Sequence, residues 1–283
     1  MEDVTADRIA AELRALGLAE GQTAFVHSSL RSLGYVDGGA EAVVDALLAV
    51  LGPTGTLVVP TFTFSVIRQP DPVFDPERDP SEMGAISEAV RTRPSARRSR
   101  HPINSVAAIG PWAAEITADH GPAAWSCDGP LWKLNECDAR ILLLGVPYLR
   151  CSFFHVIEQL VQTSYRWWHE VDARRRDPDG VERAAPMRIF GPKAGFAGND
   201  FNKIGALLEE RGLVSIGVVG NAVARVVRAR DALDVGVAEY RRDPLVFVQT
   251  AAELTALRDG VLAEERDNEK AVLDPALIYP KRR

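Results

Sequence analysis

Apolar and polar positions along this chain switch between two periods, and the switches mark out its elements. Val4, Ile9, Leu13 and Leu16 recur at helical spacing, with Asp3 or Thr5 as a cap and Gly17 as a stop. Thr23-Ala24-Phe25-Val26 reads as a short buried strand that empties into a small-residue loop, His27 to Gly34. Gly38-Gly39 then open a helix through Leu51, with Ala42, Val43, Ala46, Leu47 and Val50 on one face. Gly52-Pro53-Thr54-Gly55 is a turn, and Thr56 to Pro60 a β-branched strand. This β-loop-α-turn-β order predicts an α/β unit with a parallel sheet.

Further along, residues 65 to 82 are rich in Pro and Asp and predict an irregular excursion. A helix is expected over Ala85 to Arg93, a strand over Ser105 to Ile109, and a helix near Pro111 to His120. The run ARILLLGV, Ala139 to Val146, is the plainest buried strand and feeds the Pro147 to Ser152 loop and a helix carrying His155. Residues 170 to 195 are charged and punctuated by Pro and Gly, which suggests hairpin-like strands or an inserted flap. Lys203 to Arg211 reads as helix and Val214 to Val219 as strand. Val223 to Tyr240 reads as one or two helices, and a last helix is expected over Ala251 to Leu262. The fold class expected is α/β: a largely parallel central sheet flanked by helices, one domain over 1–283, with a flap near 170–200.

Composition narrows the function. The 283 residues are 46% hydrophobic and 25% charged, an ordinary globular balance, with a net charge of -6. A nucleic-acid binder carries a basic face, and the runs Arg91 to Arg100 and Arg174 to Arg176 are too short for one, so no nucleic-acid partner is expected. The acidic N-terminus lacks the pattern of a signal peptide, and no apolar run approaches a membrane span. Cys127, Cys137 and Cys151 are an odd set without CxxC spacing, which argues against a disulfide framework or a zinc knot. A cytoplasmic protein with no membrane partner is expected.

Three strand ends carry candidate chemistry, since ligands bind at the carboxyl edge of a parallel sheet. In the first, His27, Ser28, Ser29, Leu30 and Arg31 form a strand-to-helix turn. It either offers backbone N–H groups to an anion, with Arg31 as a phosphate contact, or merely caps the next helix. No GxGxxG or P-loop pattern is present. The second, Arg97 to Ser105, holds His101 before Pro102 and reads as a basic surface loop or a site edge. In the third, His155 and Glu158 stand i, i+3 on one helix face, where a carboxylate fixes an imidazole tautomer for general-base work. An isolated H-x-x-E also occurs as a surface contact. A zinc site would need a third ligand such as His120, His169 or Glu170, and no recognised set is formed, so no metal is expected. Cys151 is either packing or a nucleophile of lowered pKa, which leaves a hydrolase open. Trp167-Trp168 could stack on a flat substrate.

Read in order, these segments resemble the aminoglycoside N3-acetyltransferase family. V-H-S-S-L-x-S-L-G stands at Val26 to Gly34, the glycine pair at Gly38-Gly39, and G-T-L-V-x-P-T-F-T at Gly55 to Thr63. S-x-H-P-x-x-S-V-A-A-x-G stands at Ser99 to Gly110, and L-L-L-G-V with a following H-x-x-E at Leu142 to Val146 and His155 to Glu158. V-G-N-A-x-A-R and A-R-D stand at Val219 to Arg225 and Ala229 to Asp231. The resemblance covers about residues 22 to 235. It implies an acyltransferase that uses acetyl-CoA, or another acyl-CoA, as co-substrate. It implies that His155, oriented by Glu158, deprotonates an amine attacking the thioester directly. His27, Ser28, Ser29, Leu30, Arg31, Ser105 and Val106 would hold CoA, and Phe62, Phe64, Cys151 and Trp168 would face the acceptor. A homodimer is compatible with it. The acceptor is expected to be an aminoglycoside met in antibiotic resistance, or another antibiotic-like amine met in biosynthesis. The flap carries Trp167, Trp168, Arg174, Arg175, Arg176 and Lys193 alongside Glu170, Asp172, Asp177 and Asp179. This aromatic, partly basic set would suit a less cationic amine, and a non-catalytic CoA-binding homologue is the alternative to an enzyme.

Overall fold

The computed structural model describes residues 4–249, apart from 195 and 197. Helix α1 (Ala6–Ala15) starts at Thr5, whose side chain accepts from the Arg8 N–H. Strand β1 (Thr23–Ser28) leads through a 3-10 turn, Leu30–Leu33, to α2 (Gly39–Leu51) and β2 (Thr56–Pro60). The short α3 (Phe64–Ile67) and β3 (Val73–Phe74) interrupt a stretch expected to be irregular. Next come α4 (Ala85–Arg91), β4 (Arg97–Arg98), β5 (Val106–Ile109), α5 (Ala113–Ile116) and α6 (Pro130–Glu136). After β6 (Arg140–Leu144) a 3-10 turn, Tyr148–Arg150, precedes α7 (Phe154–Leu160). Strands β7 (Arg166–Val171), β8 (Arg174–Arg176), β9 (Glu182–Ala184) and β10 (Met187–Pro192) follow. The described chain closes with α8 (Asn202–Glu210), β11 (Val214–Val219), β12 (Ala222–Arg228) and α9 (Ala229–Arg242).

Seven strands form the main sheet in the order β11-β12-β6-β1-β2-β5-β4. The central trio β6, β1 and β2 is parallel, as the β-loop-α-turn-β pattern requires. The strands added on both sides are antiparallel, so the parallel sheet is extended by hairpin-like edges.

Period-2 alternation divides the buried residues between two faces. Ala24 and Val26, with Leu57, Val59, Leu142 and Leu144, pack against Ile9 and Leu13 of α1, Val43 and Leu47 of α2, and Val90 of α4. Phe25, Val58, Ile141 and Leu143 pack on the other side, against Leu131 and Leu134 of α6, Phe154 and Ile157 of α7, and Val235 of α9. This three-layer arrangement puts the helix carrying His155 on the second face.

Several expectations need correction. The helix expected from Val223 is strand as far as Arg228, because Gly220, at φ 59, and Asn221 turn the chain so that β12 pairs back on β11. A Gly-Asn pair between two β-branched runs is a hairpin signal that helical periodicity masks. The helix expected near Pro111 to His120 is confined to Ala113–Ile116, beyond which Asp119, His120 and Gly121 leave the helix. The helix expected at 251–262 lies outside the described residues. In the 170–200 region, β7 and β10 pair with each other, and β8 and β9 join β3 in a three-stranded sheet.

Candidate active site

The site begins where β6 ends. Gly145 takes φ 71, and a Cβ there would stand 2.7 Å from Ser32 Cβ, so the chain turns at a position only glycine fills. It runs through Tyr148 and the buried Cys151 into α7. Ser152 anchors the start of that helix to the end of β1: His27 Nε2 accepts from the Ser152 backbone N–H at 3.0 Å and lies 2.9 Å from Ser152 Oγ. His155 is the next turn on, its N–H donating to Ser152 O at 3.1 Å. The 27–31 loop and the His155 helix are therefore joined at one strand edge.

One turn of helix brings Glu158 Oε2 to 2.5 Å from His155 Nδ1. The Glu158 side chain is fully buried, while that of His155 keeps 25% of its surface. Tyr165 Oη donates to Glu158 Oε1 at 2.9 Å, and Asn199 Nδ2 donates to the same oxygen at 2.5 Å. Arg166 Nε lies 3.0 Å from Oε2 in an ion pair. Burial alone would push the Glu158 carboxyl up. The Arg166 guanidinium and His155, with the Asn199 amide, outweigh burial and hold it at about 2.

The tautomer follows. A carboxylate held so low carries no proton at neutral pH, so the hydrogen of the short contact belongs to the imidazole Nδ1. Nε2 is left as the lone-pair nitrogen, and it has no partner among the described residues. Burial lowers the His155 pKa despite the carboxylate, which favours the raised, protonated form. The net effect is an imidazole that is neutral at pH 7 rather than the raised pKa expected from the pairing alone.

Aromatic rings wall the imidazole. Trp125 lies 5.2 Å away between centroids, and Phe201 meets it edge-on at 5.1 Å. Phe62 packs on Trp125 at 5.7 Å and Phe64 on Phe62 at 5.8 Å, so both predicted phenylalanines connect to His155 through Trp125.

Of the other predicted site residues, Ser28, Ser29 and Leu30 are half-buried and Arg31 is exposed, with no ion pair among the described residues. Ser29 also caps the 3-10 turn, accepting from the Ser32 N–H at 3.3 Å. Ser105 and Val106 are fully buried. Ser105 Oγ donates to Thr61 O at 2.7 Å, and the Val106 N–H donates to Ser99 Oγ at 3.0 Å, so these groups are engaged inside the protein. Cys151 is 1% exposed and burial pushes its thiol up to about 12, the opposite of what a nucleophile needs. Trp168 donates from Nε1 to Gln162 Oε1 at 3.1 Å and lies under the Arg188 guanidinium; it is not among the side chains touching His155. His101 is buried, and its pKa falls to about 3 by burial and then by His120.

Trp125, Tyr165, Arg166, Asn199 and Phe201 complete the site and carry no motif of their own. Each reaches His155 or Glu158 from another element, which spacing along the chain does not report. Arg98 is a further surprise within the basic run. It is largely buried, donating to the carbonyls of Thr61, Pro76 and Asp79 and to the hydroxyls of Thr61 and Thr63. It ties the turn carrying Phe62 to the loop after β3.

Two cavities of about 530 and 250 Å³ open beside Arg100 and Asp119, and neither is lined by His155 or Glu158. Among the described residues no group of three His, Cys, Asp or Glu side chains is placed to hold a metal, and no helix is long and apolar enough to cross a membrane.

The structure is thus a three-layer α/β fold with a histidine paired to a buried carboxylate at the edge of its sheet. The family model for aminoglycoside 3-N-acetyltransferase matches residues 25–241. The chain is 35% identical over 270 residues to aminoglycoside N(3)-acetyltransferase VII of Streptomyces paromomycinus, covering 83% of this chain and 91% of that one. Among solved structures it is similar to aminoglycoside acetyltransferase AAC(3)-Xa, with a TM-score of 0.77 and 32% identity, covering 85% of this chain and 93% of that one. It is also similar to AAC-IIIb as a binary complex with CoASH, with a TM-score of 0.76 and 26% identity, covering 88% and 100%. The chain belongs to the aminoglycoside 3-N-acetyltransferase family, and it is an acyltransferase.

Proposed function

We propose that this protein transfers an acetyl group from acetyl-CoA to an amine of an aminoglycoside, with His155 as general base and Glu158 as the carboxylate that orients it. The observation that carries the reading is the pairing of a fully buried, ionised Glu158 with Nδ1 of a partly exposed His155. Nε2 accepts the proton of the amine as its nitrogen attacks the thioester carbonyl carbon. The tetrahedral intermediate collapses by breaking the C–S bond, and the departing thiolate takes that proton back from the imidazolium. No acyl-enzyme is formed, which agrees with the depressed thiolate character of Cys151. The 27–31 loop is the CoA side of the site: its half-buried serines suit the pantetheine, and Arg31, exposed and without an ion pair among the described residues, suits a phosphate. Ser105 contributes by fixing Thr61, and so Phe62, rather than by an exposed side chain.

The cationic acceptor is supported by the charge state of the flap. Arg174 pairs with Asp71 and Glu182, Arg175 with Asp177 and Asp119, Arg176 with Glu182, and Arg183 with Asp177 and Asp179. The basic part of the argument for a less cationic amine is thus offset by carboxylates of the flap and of its neighbours Asp71 and Asp119. The sequence of the relative named above, an aminoglycoside acetyltransferase, supports the same acceptor. Thiol release measured with acetyl-CoA and longer acyl-CoAs against aminoglycosides and other amines tests the reading. Turnover is expected with acetyl-CoA and an aminoglycoside. Turnover confined to non-aminoglycoside amines would replace the acceptor, and CoA binding without turnover would remove the enzymatic reading.

A further inference from the structure

Arg166 stands at the start of β7 and touches both members of the pair. Its Nε lies 3.0 Å from Glu158 Oε2, and Nη2 lies 3.3 Å from His155 Nδ1. Nη2 also donates to Asn199 Oδ1 at 2.8 Å, and Nη1 donates to Phe190 O of β10 at 3.0 Å. The guanidinium side chain is 8% exposed, so water does little to screen it. Asn199 closes the circuit by donating to Glu158 Oε1.

We propose that Arg166 is a positioning residue for the base: its planar fork holds Glu158 in the geometry that keeps the imidazole proton on Nδ1, and ties that geometry to the β7–β10 hairpin. The inference rests on the reading of His155 as base. Three features support it. Arg166 is the first of the groups that hold the Glu158 carboxyl low, and His155 and Asn199 keep it ionised beside it, so the carboxylate that fixes Nδ1–H is placed by Arg166 but does not vanish with it. The fork shape matters because Nη1 and Nη2 donate to Phe190 O and Asn199 Oδ1 while Nε lies against Glu158 Oε2 as an ion pair without a hydrogen bond, a set of contacts that an ammonium group does not reproduce. The third is that a cation 3.3 Å from Nδ1 opposes a second proton on the ring and so preserves the free Nε2.

The groups facing His155 are Glu158 on its own helix, Arg166 and Tyr165 from the β7 side, Asn199 ahead of α8, and His27 at the end of β1. His27 is held neutral, at about 3, by burial and then by His155, so it contributes no charge at pH 7. Among the described residues Arg166 is accordingly the facing cation whose removal leaves the imidazolium unopposed.

The test is the pH profile of kcat/KM for Arg166→Gln and Arg166→Lys. The ascending limb reports deprotonation of the base. In Arg166→Gln it is expected to move to higher pH, with kcat at pH 7 down about tenfold or more and KM for acetyl-CoA little changed. Arg166→Lys keeps the charge and loses the fork, so kcat is expected to fall about threefold or more with the limb closer to the parent protein's. A purely structural role would scale the whole profile without moving the limb. An unmoved limb in folded Arg166→Gln, or full kcat in Arg166→Lys, overturns the proposal. NMR titration of the His155 ring reads the same shift without turnover, and an unshifted ring overturns the proposal equally. His155→Ala separates the two claims: full activity there removes the base itself, whereas an inactive His155→Ala beside an unmoved Arg166→Gln limb removes only the role of Arg166.

Discussion

The phenol of Tyr165 donates to Oε1 of Glu158 at 2.9 Å, seven residues along the chain and fully inside the protein. Together with Asn199 it occupies the carboxylate oxygen that His155 does not, so the rotamer of Glu158 is set from both ends. The His155 imidazole is therefore oriented by a network, with Glu158 at its centre.

Glu158→Gln keeps the shape of that centre and removes its charge. Arg166 would then be a buried cation without its partner, which costs about 3–5 kcal/mol by analogy with other broken buried pairs. A lower thermal midpoint and a kcat reduced about 100-fold or more are expected. Parent-like stability and activity would show the ionised carboxylate to be dispensable.

Cys151 provides a control in the opposite direction. Cys151→Ala should keep at least half of kcat while losing about 1–2 kcal/mol of stability from the small void. In the folded protein a thiol reagent should modify the exposed Cys127 ahead of Cys151. A covalent acetyl adduct at Cys151, seen by mass spectrometry after mixing with acetyl-CoA, would contradict direct transfer.

Acid should destabilise the fold in two steps whose signs can be worked out. His27 and His101 have native pKa values near 3 and titrate near 6.5 when unfolded, so the unfolded chain binds more protons below pH 6.5. Stability is full above that value and falls as pH drops from 6.5 toward 3. Glu158, at about 2 in the fold against 4.5 unfolded, adds a second loss as pH falls below 4.5. His27→Gln offers an amide oxygen to the Ser152 N–H and removes one of these protons. Thermal melts from pH 7 to 4 should show a shallower slope for that variant, and an equal slope would refute the assignment.

Arg98→Met should be among the most destabilising surface-sequence changes. It leaves the Pro76 and Asp79 carbonyls without this donor, at about 1–3 kcal/mol for each that stays dry, and removes one of the two donors on Thr61 O, which keeps Ser105 Oγ. Loss of several kcal/mol in denaturant melts is expected, and a loss under 1 kcal/mol would mean that water replaces the guanidinium.

Much of this architecture is legible in the sequence, and the rest fails for identifiable reasons. The β1, α2, β2 and β6 elements read correctly because burial on both faces leaves long apolar runs, such as Ile141 to Leu144, with turn residues at their ends. Val223 to Arg228 misled because AVARVVR satisfies helical spacing as well as alternation, and the decision rests on pairing with a strand across the Gly220 turn. His155 and Glu158 are visible because their contact is local, three residues apart. Asn199, 41 residues from Glu158, and Trp125, 30 before His155, are brought in by tertiary packing and leave no periodic trace. Arg98 reads as surface because arginine is seldom buried, and its burial depends on carbonyls supplied by two separate loops.

The most direct test of the account is thiol release by His155→Gln with acetyl-CoA and an aminoglycoside, alongside its CoA affinity and thermal midpoint. With affinity and midpoint close to those of the parent protein, kcat is predicted to fall by about 100-fold or more. A folded His155→Gln that retains kcat within about threefold would contradict the assignment of Nε2 of His155 as the base.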